Sequence, residues 1–179
     1  MKNFAELDAK ICSCTAALNA KLEGTSGKRA ILLCGGTGCL SSNSMDIKGK
    51  FDALVAENHM EDKVTVNTVG CFGFCSQGPF VKILPEDTLY RLVKVEDVEE
   101  IFEKDIKGGE IIERLLYIEP NTGEKVAKQD DINFYKKQKR VALHGGGVIN
   151  PENIEEAMGY GAFQGLKRAL SILWAPPTL

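Results

Sequence analysis

Four cysteines in two glycine-rich stretches constrain this 179-residue chain more than any other feature. Cys34 and Cys39 form a C-x4-C pair, and Cys71 and Cys75 form a C-x3-C pair. The first pair follows a continuous apolar run at residues 30–33, and the second follows alternating residues that begin at Val64. Both patterns are typical of β-strands. Adjacent parallel strands end at the same edge of a sheet, so the two loops are predicted to lie side by side.

The remaining patterns predict an α/β fold with an N-terminal helix at residues 3–22, followed by the order β-α-β-β-α. The strand-helix-strand start implies a parallel pair with a right-handed crossover, and the next two strands can form a hairpin. The predicted strands lie at 30–33, from residue 64, at 80–84 and at 88–93. The two later helices carry apolar stripes, which are Ile47, Phe51, Leu54 and Val55 in one and Val98, Ile101, Phe102 and Ile106 in the other.

The spacing of the four cysteines favours one [2Fe–2S] cluster with two thiolates on each iron, so all four are candidate metal ligands. A [4Fe–4S] cluster commonly uses a C-x2-C-x2-C run, which the sequence lacks. A Rieske centre needs two histidines, whereas His59 and His144 are the only ones and neither is near the cysteine pairs. The chemistry expected of such a cluster is transfer of single electrons.

The same thiols have two competing interpretations. A zinc-stabilised interaction domain without a redox role is the alternative, although structural zinc sites usually show C-x2-C pairs. A thioredoxin-type dithiol would need C-x-x-C at a helix start, which is also missing. Cys12 and Cys14 lie two apart in the first helix and point to different sides, so each is interpreted as a buried, inert thiol.

Glycines and aromatic residues surround the candidate ligands. The glycines are expected to bring backbone N–H groups close to the sulfur atoms and so tune the reduction potential. Phe72 and Phe74 are expected to screen the cluster from water or simply to pack. The glycines concerned are Gly35, Gly36, Gly38, Gly70 and Gly73.

Charge and hydropathy exclude several classes of partner. The formal net charge is −3, so the sequence gives no electrostatic footprint for nucleic acid. The one dense basic run, residues 136–140, is interpreted as a solvated segment. The sequence shows neither a secretion signal nor an apolar stretch long enough for a membrane span. We therefore expect a cytoplasmic protein, whose thiols stay reduced and act as ligands more often than as disulfides.

The C-terminal third is predicted to be an addition to the first domain. Residues 113–127 resemble a hairpin or extended arm with its turn at residues 120–123, and the polar residues 128–140 resemble a linker. The last unit is predicted to contain a strand at 141–143, a turn at 145–147, a helix capped by Asn150 with Pro151 at its first position, and a further apolar face. That face comprises Phe163, Leu166, Leu170 and Leu173. So short a unit cannot build its own core and must lean on something else.

The two cysteine loops resemble those of the thioredoxin-like [2Fe–2S] ferredoxin family. Residues 33–39 and 70–79, the latter reading GCFGFCSQGP, correspond to the two loops that supply the four ligands in that family. The resemblance covers roughly residues 1–106. It implies a thioredoxin-like ferredoxin domain at 1–108, with Cys34, Cys39, Cys71 and Cys75 as cluster ligands.

The rest of the chain resembles the N-terminal part of the flavoprotein (NADH-binding) subunit of NAD-linked [FeFe]-hydrogenases, formate dehydrogenases and NADH dehydrogenases. The matching stretches are 112–116, 122–126, 148–156 and 161–166. The resemblance implies an arm and linker at 109–140 and an incomplete flavoprotein segment at 141–179. It also implies iron–sulfur and flavin subunits as partners in a hetero-oligomer. FMN and NAD(H) would bind outside this chain, so catalysis by the chain alone is not expected.

Overall fold

The computed structural model describes residues 4–173 as a mixed arrangement of helices and strands. No helix within that range is long and apolar enough to cross a membrane. The helices and strands are α1 (Phe4–Leu22), β1 (Arg29–Cys34), α2 (Thr37–Leu40), α3 (Ser44–Glu57), β2 (Val64–Val69), β3 (Val81–Leu84), β4 (Thr88–Tyr90), α4 (Asp97–Glu100, continued by π-helical turns at Ile101–Lys107), β5 (Tyr117–Ile118), β6 (Lys125–Val126), α5 (Asn133–Lys136), α6 (Ile154–Gly159) and α7 (Gln164–Leu173).

The main sheet has the strand order β2-β1-β3-β4. β1 and β2 are parallel, and Cys34 at the end of β1 pairs with Val69 at the end of β2. β3 runs antiparallel to both β1 and β4. The predicted parallel pair and hairpin are therefore confirmed, and the predicted α/β fold is confirmed with them. β4 ends at Tyr90, three residues earlier than predicted.

Both faces of the sheet are covered, which explains the continuous apolar run in β1. Ile31 and Leu33 pack with Phe51 of α3 on one face. Ala30, Leu32 and Cys34 point to the other face, because successive side chains of a strand alternate. Cys34 is thus fixed at the edge of a packed core rather than in a free loop.

The segment predicted as a polar linker covers this second face. Ile132 is fully buried, and Gln129 and Tyr135 are nearly so. Short turns carry these residues, namely a 3₁₀ turn at Gln129–Asp131 and the four-residue helix α5. The linker interpretation was wrong for residues 129–135, because a sheet buried on two faces needs a second covering layer, whereas residues 136–139 are exposed as predicted. The predicted hairpin before it is confirmed by the pairing of β5 with β6.

The start of the C-terminal unit differs from the prediction. Residues 141–143 form a turn rather than a strand, with Val141 and Leu143 exposed. The first helix begins at Ile154, and the Asn153 side chain accepts hydrogen bonds from two backbone N–H groups of its first turn. The Asn150 side chain instead accepts from the Glu152 N–H, so Asn150 is not the helix cap.

The C-terminal unit packs on α1, as predicted for a unit too short to build its own core, but it does so through α6. Phe163 and Leu166 of the predicted apolar face are exposed. α6 packs against α1, and Lys21 forms a 2.8 Å ion pair with Glu156 at this contact. Two more ion pairs join α1 to this unit, Lys10 to Glu155 and Lys167 to Asp8. Gly159, at the end of α6, lies directly against the backbone of Cys14.

Candidate metal centre

The ends of the two parallel strands bring the candidate ligands together. Cys34 is the last residue of β1, and Cys39 lies five residues later in the short helix α2. Cys71 follows β2 by two residues, and Cys75 begins a 3₁₀ turn at Cys75–Gln77. A hydrogen bond from the Gly35 N–H to the Val69 carbonyl, 2.8 Å long, ties the two loops together where they leave the sheet. The side-by-side loops predicted from the sequence are confirmed.

The four sulfur atoms are neighbours in the order Cys39, Cys34, Cys71 and Cys75, since the Cys34 sulfur is hydrogen-bonded to both Cys39 and Cys71. The Sγ atoms of Cys71 and Cys75 are 3.8 Å apart. A Cβ atom added at Gly36 would lie 3.1 Å from the Cys71 Sγ and 3.5 Å from the Cys34 Sγ. A Cβ added at Gly78 would lie 2.6 Å from the Cys39 Sγ, so this glycine leaves room for the fourth sulfur.

The spacing of Cys71 and Cys75 fits two ligands on one metal. Two thiolates on a tetrahedral metal with bonds of about 2.3 Å stand about 3.8 Å apart. Among residues 4–173, no three His, Cys, Asp or Glu side chains are grouped to hold a single metal ion. In a binuclear cluster each iron needs only two protein sulfurs, so each loop has to supply only two ligands.

Hydrogen bonds shape the electrostatics of the buried pair. The Cys39 thiol donates to the Cys34 sulfur, and this is the largest reason why the pKa of Cys34 is lowered to about 6. Backbone N–H groups of Phe72 and Gly36 also hydrogen-bond the Cys34 sulfur and lower its pKa. The pKa of Cys39 is raised, first because its thiol is the donor in this pair and then because it is buried.

Cys71 has a different environment from the buried pair. Burial raises the pKa of the Cys71 thiol, while a hydrogen bond from the Gly73 N–H acts against that rise. The nitrogen of Gly73 lies 3.3 Å from the Cys71 Sγ. The prediction of glycine N–H groups aimed at sulfur is confirmed for Gly36 and Gly73. It was wrong for Gly35 and Gly70, whose N–H groups donate to the carbonyls of Val69 and Ile149.

Comparison with known proteins decides the family. The family model described as thioredoxin-like [2Fe-2S] ferredoxin matches residues 22–105, a range that contains all four cysteines. The 2Fe-2S ferredoxin of Clostridium pasteurianum is 44% identical over 77 residues, which are 43% of this chain and 76% of that ferredoxin. The chain belongs to the thioredoxin-like [2Fe–2S] ferredoxin family. Its cofactor is accordingly a [2Fe–2S] cluster, and its role is iron–sulfur electron transfer.

A second ferredoxin shows the same extent of similarity. The 2Fe-2S ferredoxin of Aquifex aeolicus (strain VF5) is 37% identical over 82 residues, which are 44% of this chain and 71% of that protein. The crystal structure of the wild-type thioredoxin-like [2Fe-2S] ferredoxin from Aquifex aeolicus covers 49% of this chain and 94% of its own, with 30% identity and a TM-score of 0.45. Each of these matches covers less than half of the present chain.

Aromatic side chains cover one side of the ferredoxin's cysteine loops. Phe72 is fully buried, and Phe74 stacks on Phe134 with ring centroids 4.0 Å apart. Tyr135 meets Phe74 edge-on at 6.1 Å. Phe72 and Phe74 were expected here from the sequence, whereas Phe134 and Tyr135 were missed because their segment was interpreted as a linker. Cys75 is exposed.

Residues outside the two loops agree with the sequence predictions only in part. Cys14 is buried as predicted, but Cys12 is exposed, since residues two apart on a helix face different directions. The ring of His144 stacks on Tyr160 and hydrogen-bonds the Val141 carbonyl. Arg140, predicted to be solvated with the basic run, is half-buried and donates to the carbonyl of Phe72. Only the folded structure places this cation beside the site.

Proposed function

We propose that Cys34, Cys39, Cys71 and Cys75 are the four ligands of the cluster, with one iron held by each loop. The observation that supports the proposal is the meeting of the two cysteine loops at the shared ends of β1 and β2, with Cys71 and Cys75 at the spacing of two ligands on one metal. A zinc-stabilised domain is set aside because the chain belongs to a [2Fe–2S] family.

The surrounding residues suit a site for electron transfer. A bound [2Fe–2S] cluster accepts and returns one electron. The N–H groups of Gly36, Phe72 and Gly73 donate to ligand sulfurs and stabilise their negative charge. The aromatic residues described above exclude water from one side. Cys75 is exposed, so the electron would enter or leave on its side of the site.

Serine substitutions test the ligand assignment. A hydroxyl is a harder and poorer ligand for iron–sulfur clusters than a thiolate. Each of the four Cys→Ser variants is therefore expected to lose or alter the visible absorption and the reduced-state EPR signal, whereas the parent should hold about two irons and two sulfides per chain. Cys12→Ser is the matched control, because Cys12 is exposed on α1, and it should keep the parent spectrum. An unchanged spectrum in any of the four ligand variants, or zinc without sulfide in the parent, contradicts the proposal.

We also propose that the chain works within an NAD(P)-linked oxidoreductase complex of the bifurcating hydrogenase, formate dehydrogenase or NADH dehydrogenase type. The support is the resemblance of residues 112–166 to the N-terminal part of a flavoprotein subunit, together with the packing of this region on the ferredoxin core. The partners would be flavin and iron–sulfur subunits. Leu166 and Ile172 of α7, both more than half exposed, offer apolar contact area to such subunits.

Purification of the chain from its natural host tests this setting. The preparation is expected to contain a flavin subunit, and NADH or NADPH should reduce the [2Fe–2S] cluster, as followed by EPR. A Cys71→Ser variant expressed in the same host identifies the signal, because only this chain's cluster should change. A preparation that lacks flavin and whose cluster neither nucleotide reduces would refute the complex while leaving the ligand assignment intact.

A further inference from the structure

Arg140 is a cation that hydrogen-bonds the backbone between the two cysteines of the second loop. Its Nη1 donates to two carbonyl oxygens, those of Phe72 and Gly146, at 3.2 Å each. Its guanidinium carbon lies 5.5 Å from the centroid of the Tyr135 ring. These contacts hold the charge in one place, although Arg140 stands in a sequence of basic residues that are otherwise exposed.

The turn at residues 145–147 is bonded to the same loop through backbone atoms. The Gly147 N–H donates to the Gly70 carbonyl, and the Gly70 N–H donates to the Ile149 carbonyl, both at 3.0 Å. A Cβ added at Gly146 would lie 2.4 Å from the carbonyl oxygen of Cys71, so only glycine permits this approach. Arg140 therefore bridges two backbone segments that are already fixed to each other.

One peptide group connects Arg140 to a ligand sulfur. The Phe72 carbonyl, which accepts from Arg140, belongs to the same peptide unit as the Gly73 N–H. That N–H points to the Cys71 Sγ at 3.3 Å. A cation hydrogen-bonded to the carbonyl end polarises the peptide and strengthens the hydrogen bond that its N–H donates. The chain of contacts runs from guanidinium to carbonyl, from carbonyl to N–H, and from N–H to sulfur.

We infer that Arg140 is a positioning residue that raises the reduction potential of the [2Fe–2S] cluster through the Phe72–Gly73 peptide and the Cys71 sulfur. The inference rests on the proposed ligation by Cys71. Reduction adds one electron and makes the four-thiolate site more negative. Hydrogen bonds to sulfur and nearby positive charge stabilise the reduced form more than the oxidised form. The potential of the cluster therefore depends on a residue that lies outside the range matched by the family model.

Redox titration of the cluster-loaded full chain tests the inference. Arg140→Met removes the charge and both hydrogen bonds but keeps most of the aliphatic length. Lys139→Met is the matched control, because it removes the same charge from an exposed neighbour that donates no hydrogen bond to the loop. Dithionite titration followed by EPR is expected to give a lower midpoint potential for Arg140→Met and a potential close to the parent value for Lys139→Met. Arg140→Lys, which keeps the charge, should recover part of the loss.

A spectroscopic measurement separates this role from simple support of the fold. Proton ENDOR of the reduced cluster after exchange into D₂O should show weaker coupling for an exchangeable proton in Arg140→Met than in the parent. If Arg140→Met does not retain a cluster, Arg140→Lys and Arg140→Gln carry the test, and the potential should fall further in Arg140→Gln than in Arg140→Lys. Equal potentials in Arg140→Met and the parent, or an equal fall in Lys139→Met, would overturn the inference. Failure of the ligation itself would appear separately, in the Cys71→Ser spectrum.

Discussion

At the scale of single residues, Asp105 is the buried charge on which one side of the fold depends. Its carboxylate is 4% exposed and accepts hydrogen bonds from Arg29 at 2.6 Å and from the Tyr90 hydroxyl at 2.5 Å. The Tyr90 oxygen in turn accepts from the Ile112 N–H, so one carboxylate joins β1, β4 and the segment after the π-helical turns. Burial, and then the hydrogen bond to Asp105, raise the pKa of Tyr90 above its ordinary value.

Asp105→Asn should destabilise the protein because it removes the buried negative charge beside Arg29 and leaves only the half-exposed Glu86 carboxylate to pair with it. Breaking a buried pair costs about 3 kcal/mol, and the partial exposure of Arg29 reduces this to roughly 2 kcal/mol. Glu103→Gln is the control, since its ion pair with Lys107 lies two residues away on the surface and should contribute less than about 1 kcal/mol. Urea unfolding followed by circular dichroism measures both. Equal losses in the two variants would show that the buried network contributes no more to the free energy of unfolding than a surface ion pair.

Arg140 shows, at the same scale, what residue types alone do not reveal. The four cysteines could be singled out because thiolate ligands in two glycine-rich loops have few other uses. Arg140 stands beside Lys139 and has the same charge, yet one side chain is held against the cluster loop and the other is exposed. The difference arises from the turn at residues 145–147, whose contact with Gly70 joins positions far apart in the sequence. No local pattern records such a contact.

At the scale of elements, residues 128–136 form a covering layer of the sheet rather than a linker, and a substitution in this layer tests that revision. Ile132 is fully buried against the second face of the sheet. Ile132→Ala should lower the free energy of unfolding by about 3 kcal/mol, because truncation of a buried isoleucine loses burial and leaves a cavity. Ile118→Ala is the control, since Ile118 on β5 is 42% exposed. The thermal midpoints of the two variants measure the difference. A midpoint of Ile132→Ala equal to that of the control would restore the interpretation of this segment as a linker.

Elements with long, regular patterns were predictable, and short ones were not. The run at 30–33 predicts β1 because a strand buried on both faces must be apolar throughout. The stripe that includes Ile47 and Phe51 predicts α3 for the same physical reason on a helix. The cover of the second face uses isolated apolar residues between polar ones, so it has no period to detect. Residues 141–143 have the composition of a strand but no strand beside them to pair with.

At the scale of the whole molecule, the C-terminal unit is attached to the ferredoxin domain at two places. One is the backbone contact between Gly70 and residues 147–149, next to the site. The other is the packing of α6 on α1, at the N-terminal end of the chain. The two attachments lie on consecutive parts of the same short unit, so loosening one contact should also loosen the other. This connects the far helix to the environment of the proposed ligand Cys71.

Gly159→Ala tests that connection because it introduces one methyl group at the contact between α6 and α1. The new Cβ would lie 2.7 Å from the carbonyl oxygen of Cys14, so the helices must separate, at a cost of about 1–3 kcal/mol in docking. Amide hydrogen exchange followed by mass spectrometry should show faster exchange in residues 143–160, with the central sheet unchanged. Gly165→Ala is the matched control, since a Cβ there meets nothing within 4 Å, and alanine favours the helix. Faster exchange confined to α6, with residues 143–149 as protected as in the parent, would show that the two attachments are independent.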